Sequence, residues 1–289
     1  MSTHAAPNKR ITVGDLAAKK QAGEPIVMVT AYDYPGAQIA EAAGVDLVLV
    51  GDSGAMTVLG YDSTVPVTTD EMLMLTKAVR RGLTAPLLVG DLPFGSYEGS
   101  DALALATAQR FVKEAGVDLV KIERGGTSVD RARALVGSGI PVVGHVGLTP
   151  QTATALGGYR AQGRTAEAAL AVIDDALALQ DAGCSLLVIE AVPSQVTAAL
   201  MPLLEIPVIG IGAGADADGQ VLVFHDLLGI YGGPAAKFVK RYASLREAAI
   251  DGIAAYADEV RSGAYPGPEH GYAMADAEAE RLREMLAGR

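Results

Sequence analysis

Hydrophobic positions in this chain gather into eight short runs, at about 26–31, 47–52, 87–91, 119–123, 141–146, 186–190, 207–211 and 221–224. The runs are near-continuous rather than alternating, which predicts parallel strands covered on both faces. Pro25, Pro86, Pro141 and Pro207 open the odd-numbered runs; a strand's first residue can do without its N–H. The intervening runs follow Ala43-Gly44, Ala115-Gly116 and Ala182-Gly183, where glycine can end a helix in the left-handed conformation. Between runs the period turns helical. Ala104, Ala108, Phe111, Val112 and Ala115 form one stripe behind a Ser100-Asp101 start, and Thr68-Thr69-Asp70-Glu71 predicts a capping box. Eight βα units in unbroken rhythm predict an α/β fold, a single-domain (β/α)8 TIM barrel. An open doubly wound sheet would call for a Gly-rich first turn, and the first turn here is Thr30-Ala31-Tyr32-Asp33-Tyr34-Pro35. The barrel is expected over residues 25–262, after an N-terminal segment 1–24 with a short helix and before a tail, 263–289.

Four of the runs close on an acid: Asp52, Asp91, Glu123 and Glu190. A carboxylate there adds nothing to a core, but the carboxyl-terminal rim is where barrels keep their chemistry. Asp52, Asp91 and Glu123 end strands 2, 3 and 4, so their carboxylates should converge at one side of the mouth. Such neighbours cannot all ionise cheaply unless one takes a proton or a cation intervenes. An all-oxygen set with open positions suits Mg²⁺, whereas the four His and one Cys show no zinc spacing. A single strand-end Asp can equally cap a helix or close a turn. Three on consecutive strands argue for a shared site.

Lys121 lies two residues from Glu123, on the same strand face. It reads as a structural ion pair or an anchor for a substrate carboxylate. The acids beside it would raise its pKa, which counts against a Schiff-base nucleophile. Glu190, across the mouth on strand 6, is too far round for the same ion and is a candidate general base. His145, at the end of strand 5, competes for that role, positions its neighbours, or simply packs. Gly210-Ile211-Gly212-Ala213-Gly214 has the look of a dinucleotide fingerprint but falls in the seventh unit, and its spacing fails past Gly214. A tight rim turn, or close backbone approach to a ligand, accounts for it.

Composition narrows the classes. The 289 residues carry a net charge of −11 and a pI of about 4.8, so a basic footprint for nucleic acid is lacking. The longest apolar segments are strand-length, and no transmembrane span is expected. Residues 1–10 lack the apolar stretch of a secretory signal. Cys184, alone in an apolar run, is expected as a buried thiol. These features place the chain in the cytoplasm, with small-molecule partners and neither nucleic acid nor membrane. Two rim loops, 53–67 and 147–164, are long enough to act as lids or substrate contacts. Residues 275–289 read as a charged helix or a disordered end.

The chain also carries Thr30-Ala31-Tyr32-Asp33, Val50-Gly51-Asp52-Ser53, Asp91-Leu92-Pro93-Phe94, Val120-Lys121-Ile122-Glu123, Gly144 to Gln151, Gly157-Gly158-Tyr159, Glu190-Ala191-Val192-Pro193 and Asp218-Gly219-Gln220. In these blocks and their order it resembles the ketopantoate hydroxymethyltransferase family, over about residues 11–272. The resemblance implies that Asp52, Asp91 and Glu123 hold Mg²⁺. It implies that Ser53 and Lys121, with Asp52, Asp91 and the metal, bind the 2-oxo acid 3-methyl-2-oxobutanoate, and that Glu190 accepts its proton. A 5,10-methylenetetrahydrofolate cosubstrate, a product (2-dehydropantoate) on the route to pantothenate, and a homodecamer follow from the same resemblance. Two departures stand out: Arg124 replaces the family's usual glycine, so the turn after strand 4 is expected to differ, and a tail follows Tyr272 with no inherited role. The alternatives are a Mg²⁺-dependent C–C lyase of the isocitrate lyase and phosphoenolpyruvate mutase kind, a Schiff-base aldolase using Lys121, and a non-catalytic oligomeric binding protein. Lyases of that kind place a catalytic Cys in a loop, and no Cys stands at a strand end here.

Overall fold

In the computed structural model, residues 10–233 and 236–289 are described. Residues 1–9, on which the expectation of no secretory signal largely rests, lie outside them. Eight parallel strands close a barrel in sequence order: β1 (Ile26–Thr30), β2 (Leu47–Val50), β3 (Leu87–Asp91), β4 (Leu119–Glu123), β5 (Val142–Gly147), β6 (Leu186–Glu190), β7 (Val208–Ile211) and β8 (Gly219–Leu222), with β8 paired back onto β1. Helix α1 (Val13–Ala22) precedes the barrel, and α2 (Tyr34–Ala42) follows β1. The short α3 (Gly54–Thr57) and the longer α4 (Thr69–Gly82) follow β2, and α5 (Asp101–Arg110), α6 (Thr127–Gly137), α7 (Ala166–Asp181) and α8 (Ser194–Leu200) follow β3 to β6. The (β/α)8 expectation holds, with one local exception. The β7–β8 link, residues 212–218, contains no helix, and α9 (Phe224–Leu227) is a single turn.

Strand parity divides the apolar side chains into two clusters. Met28, Leu47, Leu49, Val89, Leu119, Val143, Val188 and Ile209 fill the barrel interior, with Leu16 of α1 buried in the same cluster. The alternate residues, such as Val48, Leu88, Val120, Val142 and Leu187, pack outward under the helices. The α4 start is the expected capping box: Thr68 Oγ1 accepts from the Glu71 N–H at 3.2 Å, and Glu71 Oε2 accepts from the Thr68 N–H at 2.8 Å.

Three local expectations need correction. The last strand begins two residues before the 221–224 run, because Gly219 can press against β1 where a Cβ would lie 2.2 Å from the Ile26 carbonyl oxygen. The α5 stripe breaks at Val112, which is exposed, because residues Phe111–Ala115 form a π-turn that rotates the helix by an extra residue. Phe111 stays buried over Gly90, where a Cβ would meet its ring at 2.7 Å. Finally, β5 runs to Gly147, so His145 stands two residues inside its end.

Residues Ala243–Arg289 form a second unit containing α10 (Leu245–Ser262) and α11 (Asp276–Ala287). The end of the chain is therefore helical, with surface pairs such as Arg281 to Glu278 on α11. Among the described residues no helix is long and apolar enough to cross a membrane.

The turn after β4 shows what the Arg124 departure costs. Arg124 sits at φ 73°, in the left-handed region, with its N–H donating to the His145 carbonyl at 2.8 Å. That conformation costs an L-residue about 1–2 kcal/mol, against about 0.5–1 kcal/mol for the extra freedom a glycine loses on folding. Arg124→Gly should therefore stabilise the fold by about 0.5–1 kcal/mol and raise the thermal midpoint by about 2 °C. A lowered midpoint would show that the Arg124 side chain contributes more than its backbone costs.

Candidate active site and metal centre

The interior parity that carries hydrocarbon up the barrel changes to charge at the rim. Val89, Leu119, Val143 and Val188 are followed two residues on by Asp91, Lys121, His145 and Glu190, and Lys121 in turn by Glu123. Parallel register pairs Asp91 with Lys121, and Glu123 with His145. These side chains face inward because β-strand alternation leaves them no other side, and all but Glu190 are buried. Asp52 joins them from the turn after β2, where its backbone N–H donates to Asp91 Oδ2 at 3.0 Å.

Lys121 Nζ lies 2.9 Å from Asp91 Oδ1 and 3.1 Å from Glu123 Oε1. His145 Nδ1 also reaches Glu123 Oε1, at 3.1 Å, and its Nε2 lies 3.2 Å from Glu190 Oε2. Glu190 is thus one imidazole away from the strand 2–4 carboxylates, joined to them rather than isolated across the mouth. Asp52, Asp91 and Glu123 bring one oxygen each to within 4.8 Å of one another. Ser53 lines the same cavity, its Oγ 2.8 Å from the buried Tyr32 hydroxyl. Gly54 makes this possible, since a Cβ there would come within 2.7 Å of the Tyr32 ring.

Two further residues organise the carboxylates. Gln151 donates from Nε2 to Asp52 Oδ2 at 3.1 Å and to the Leu92 carbonyl at 3.0 Å, and from its backbone N–H to Glu123 Oε2 at 3.1 Å. Tyr97 accepts from the Glu123 N–H at 3.1 Å and donates to Gln151 Oε1 at 2.8 Å. Sequence reasoning carried Gln151 only as the last residue of a matching block, and Tyr97 not at all. The available clue for Gln151 was its place in the long loop after β5. Tyr97 follows β3 in a loop with no motif of its own. The Gly210–Gly214 stretch proves to be packing: Cβ atoms at Gly212 and Gly214 would meet Phe238 at 2.4 Å and Ser194 at 2.5 Å.

The electrostatics of the cluster are unbalanced toward the negative. Burial and the charges of Asp91 and Glu123 push the Asp52 carboxyl well above its usual range. Burial raises Asp91 as well, with Lys121 opposing. Glu123 goes the other way: burial works against its charge, but Lys121 and His145 draw it down to about 2. On Lys121, burial is overridden by Asp91, Glu123 and Asp52, which hold the ammonium firmly charged. On His145, burial and Lys121 oppose the charge, and Glu123 with Glu190 outweighs them, raising the imidazole to about 9. Asp52, whose charge burial and its acidic neighbours disfavour, leaves room beside Lys121 and His145 for added positive charge, and the hard oxygen donors of the three carboxylates fit a divalent cation. The cluster opens into a cavity of about 500 Å³ at the carboxyl end of the strands, lined also by Leu49, Val188, Ile211, Tyr159 and the segment after β8.

Fold and site together define a barrel enzyme with a carboxylate-lined rim. Solved structures share the fold, among them a phosphonopyruvate hydrolase complex with oxalate and Mg²⁺ (TM-score 0.59, 12% identity, covering 96% of this chain and 98% of that one). Another is 2,3-dimethylmalate lyase, a phosphoenolpyruvate mutase/isocitrate lyase superfamily member (TM-score 0.55, 17% identity, 95% and 96% covered). At such identity the likeness is one of fold alone. Sequence kinship is more specific: the chain belongs to the ketopantoate hydroxymethyltransferase family, whose signature matches residues 10–268. The 3-methyl-2-oxobutanoate hydroxymethyltransferase of Geobacillus kaustophilus (strain HTA426) is 52% identical over 264 residues, spanning 91% of this chain and 95% of that protein. The relative named 3-methyl-2-oxobutanoate hydroxymethyltransferase 1, mitochondrial, of Arabidopsis thaliana is 50% identical over 270 residues, spanning 91% and 78%.

The raised carboxyls make a pH-dependent prediction. The folded protein keeps protons on Asp52 and Asp91 that the unfolded chain gives up, so the stability they contribute is full below the ordinary 3.8 and is lost as pH rises through their folded values. Glu123 runs oppositely, contributing above 4.5 and losing that contribution as pH falls toward about 2. A divalent cation held by these carboxylates would take the place of the protons lost as pH rises. Mg²⁺ should therefore raise the thermal midpoint, and by more at about pH 8 than at about pH 5. An unchanged midpoint at the higher pH would remove the cation from this cluster.

Proposed function

We propose that this enzyme transfers a hydroxymethyl group from 5,10-methylenetetrahydrofolate to 3-methyl-2-oxobutanoate, giving 2-dehydropantoate for pantothenate and coenzyme A synthesis. The observation that carries this is the meeting of Asp52, Asp91 and Glu123 beside Lys121, with Glu190 one imidazole away, in a chain about half identical to enzymes named for that reaction. Asp52, Asp91 and Glu123 would hold Mg²⁺, which when bound supplies Lewis-acid polarisation of the 2-oxo group. Lys121, kept charged by the acids around it, and Ser53, oriented by Tyr32, hold the substrate carboxylate. The same firm charge disfavours Lys121 as a Schiff-base nucleophile, which must be able to shed its proton.

Glu190 removes the C3 proton. His145 faces it at 3.2 Å and fixes the direction of its carboxylate. The C3 carbanion attacks the folate's one-carbon unit, forming the C3–CH₂ bond as the methylene's bonds to the folate nitrogens break; one water supplies the hydroxyl oxygen, and tetrahydrofolate leaves carrying the proton from C3 and one from that water. Apolar walls at Leu49, Val188 and Ile211 limit water around the reacting carbons. To this we add, on the family resemblance, a homodecameric assembly, and on the composition a cytoplasmic setting without nucleic-acid or membrane partners. No particular observation favours the C–C lyase alternative beyond the shared fold.

The decisive assay follows product from both substrates with and without a chelator, which should abolish turnover. Glu190→Gln should slow exchange of the substrate's C3 hydrogen with solvent by at least about 100-fold while leaving Mg²⁺-dependent binding of 3-methyl-2-oxobutanoate within a few-fold. Asp52→Ala and Asp91→Ala should instead weaken that binding itself. Exchange at near the parent rate in Glu190→Gln, followed by NMR in deuterated water, would strip Glu190 of the role of base.

A further inference from the structure

Five acids line the rim cavity, and four of them are engaged with one another's neighbours. Asp52 accepts from Gln151, Asp91 and Glu123 from Lys121, and Glu190 faces His145. The fifth, Asp226, lies on α9 in the segment after β8 and lines the same cavity. Its carboxylate has no hydrogen bond and no ion pair among the described residues. Burial raises its pKa, and Arg241 is the charged group whose field opposes that rise. Half-buried and without a protein donor, this carboxylate is open to donors on a bound ligand.

The surroundings restrict which ligand that is. Unlike Asp91, Glu123 and Glu190, which face Lys121 or His145, Asp226 has no ion pair among the described residues to offset its repulsion of an anionic 2-oxo acid, so a neutral ligand edge suits it better. Tyr231 and Phe238 line the cavity from the same post-β8 segment. The Phe238 ring lies directly on Gly212, where a Cβ would come within 2.4 Å of it, so a bare backbone seats the ring at the β7 rim. The cavity, at about 500 Å³, also exceeds what a five-carbon acid fills. A free acceptor in a cavity that Tyr231 and Phe238 also line suits a flat, neutral heterocycle with two adjacent N–H donors on one edge. The 2-amino-4-oxo edge of a tetrahydropterin has that form: its 2-amino group and N3–H point the same way and match the two oxygens of a carboxylate.

We infer that Asp226 grips the pterin ring of the folate cosubstrate, accepting from its 2-amino and N3–H groups, with Tyr231 and Phe238 as the faces of the slot. This rests on the folate-dependent reaction proposed above and adds to it the residue that recognises the cosubstrate.

The test uses the full-length enzyme with Mg²⁺ and measures tetrahydrofolate binding by isothermal titration calorimetry, alongside C3-hydrogen exchange, which consumes no folate. Asp226→Asn keeps the size of the side chain but puts an NH₂ against one of the ligand's donors. It should weaken tetrahydrofolate binding at least about 10-fold, the loss of one charge-assisted hydrogen bond, while exchange stays within about two-fold of the parent. Asp226→Ala should show the same split. A tetrahydrofolate analogue lacking the 2-amino group should bind the parent more weakly than tetrahydrofolate does and bind Asp226→Asn with a smaller difference. Unchanged tetrahydrofolate binding in both variants overturns the inference and leaves the exchange chemistry standing. Loss of exchange together with folate binding in both variants also overturns it, since the carboxylate would then be holding the cavity wall. A parent enzyme that exchanges C3 hydrogen yet binds no tetrahydrofolate would sink the folate reaction and this inference together.

Discussion

A single buried ammonium sets the terms for everything at this barrel's rim. Lys121 is enclosed by Asp91, Glu123 and Asp52, and no arrangement of one positive and three negative groups in a dry pocket is neutral. The protein answers in two ways. It leaves Asp52 and Asp91 reluctant to ionise, and it enlists His145 as a second positive group against Glu123. A divalent ion would let Asp52 and Asp91 give up the protons that burial makes them keep, and the pinned lysine offers a positive group beside it.

A second layer keeps those groups in place. Gln151 and Tyr97 close a loop of hydrogen bonds with Glu123, and Gln151 Nε2 branches from it to Asp52 and the Leu92 carbonyl, so both carboxylates are held. Where such carboxylates ligate a metal, partners of this sort orient them, and losing one typically costs about 10–100-fold in metal affinity. The backbone contributes its own constraint. Ala191, directly after Glu190, adopts φ 47°, and Gly147 at φ 89° brings β5 so close that a Cβ would lie 2.3 Å from the Glu190 carbonyl. The strand end that presents Glu190 is thus held by its own main chain.

Much of the barrel was legible in the residues because parallel strands covered on both faces must be apolar at nearly every position. The runs of β1 to β7 could hardly be read otherwise. The eighth strand was misplaced because its opening, Gly219-Gln220, has almost no hydrocarbon and depends on close backbone contact, which apolar patterning does not register. The π-turn at Phe111 escaped for a similar reason, since a single inserted residue leaves the composition of the stripe intact. The convergence of Asp52, Asp91 and Glu123 followed from strand order alone. The link from Glu123 through His145 to Glu190 did not, because it depends on register between β4, β5 and β6, which no single strand's sequence encodes. The roles of Gln151 and Tyr97 were hidden for a different cause: loops have no period from which a side chain's direction can be read.

The strand parity that lifts hydrocarbon into charge has a consequence for how such a molecule can change over generations. Along β3 and β4 one column of alternate residues serves first as ballast and then as chemistry, with no spacer between. Aliphatic replacement of the whole charged set at the upper end would extend the oily interior by one storey, and burying hydrocarbon in place of a complete set of paired charges is often neutral or favourable, whereas losing one partner alone is costly. Hardiness and turnover therefore compete for the same few positions, and a lineage selected only for endurance would drift toward a sealed, silent barrel.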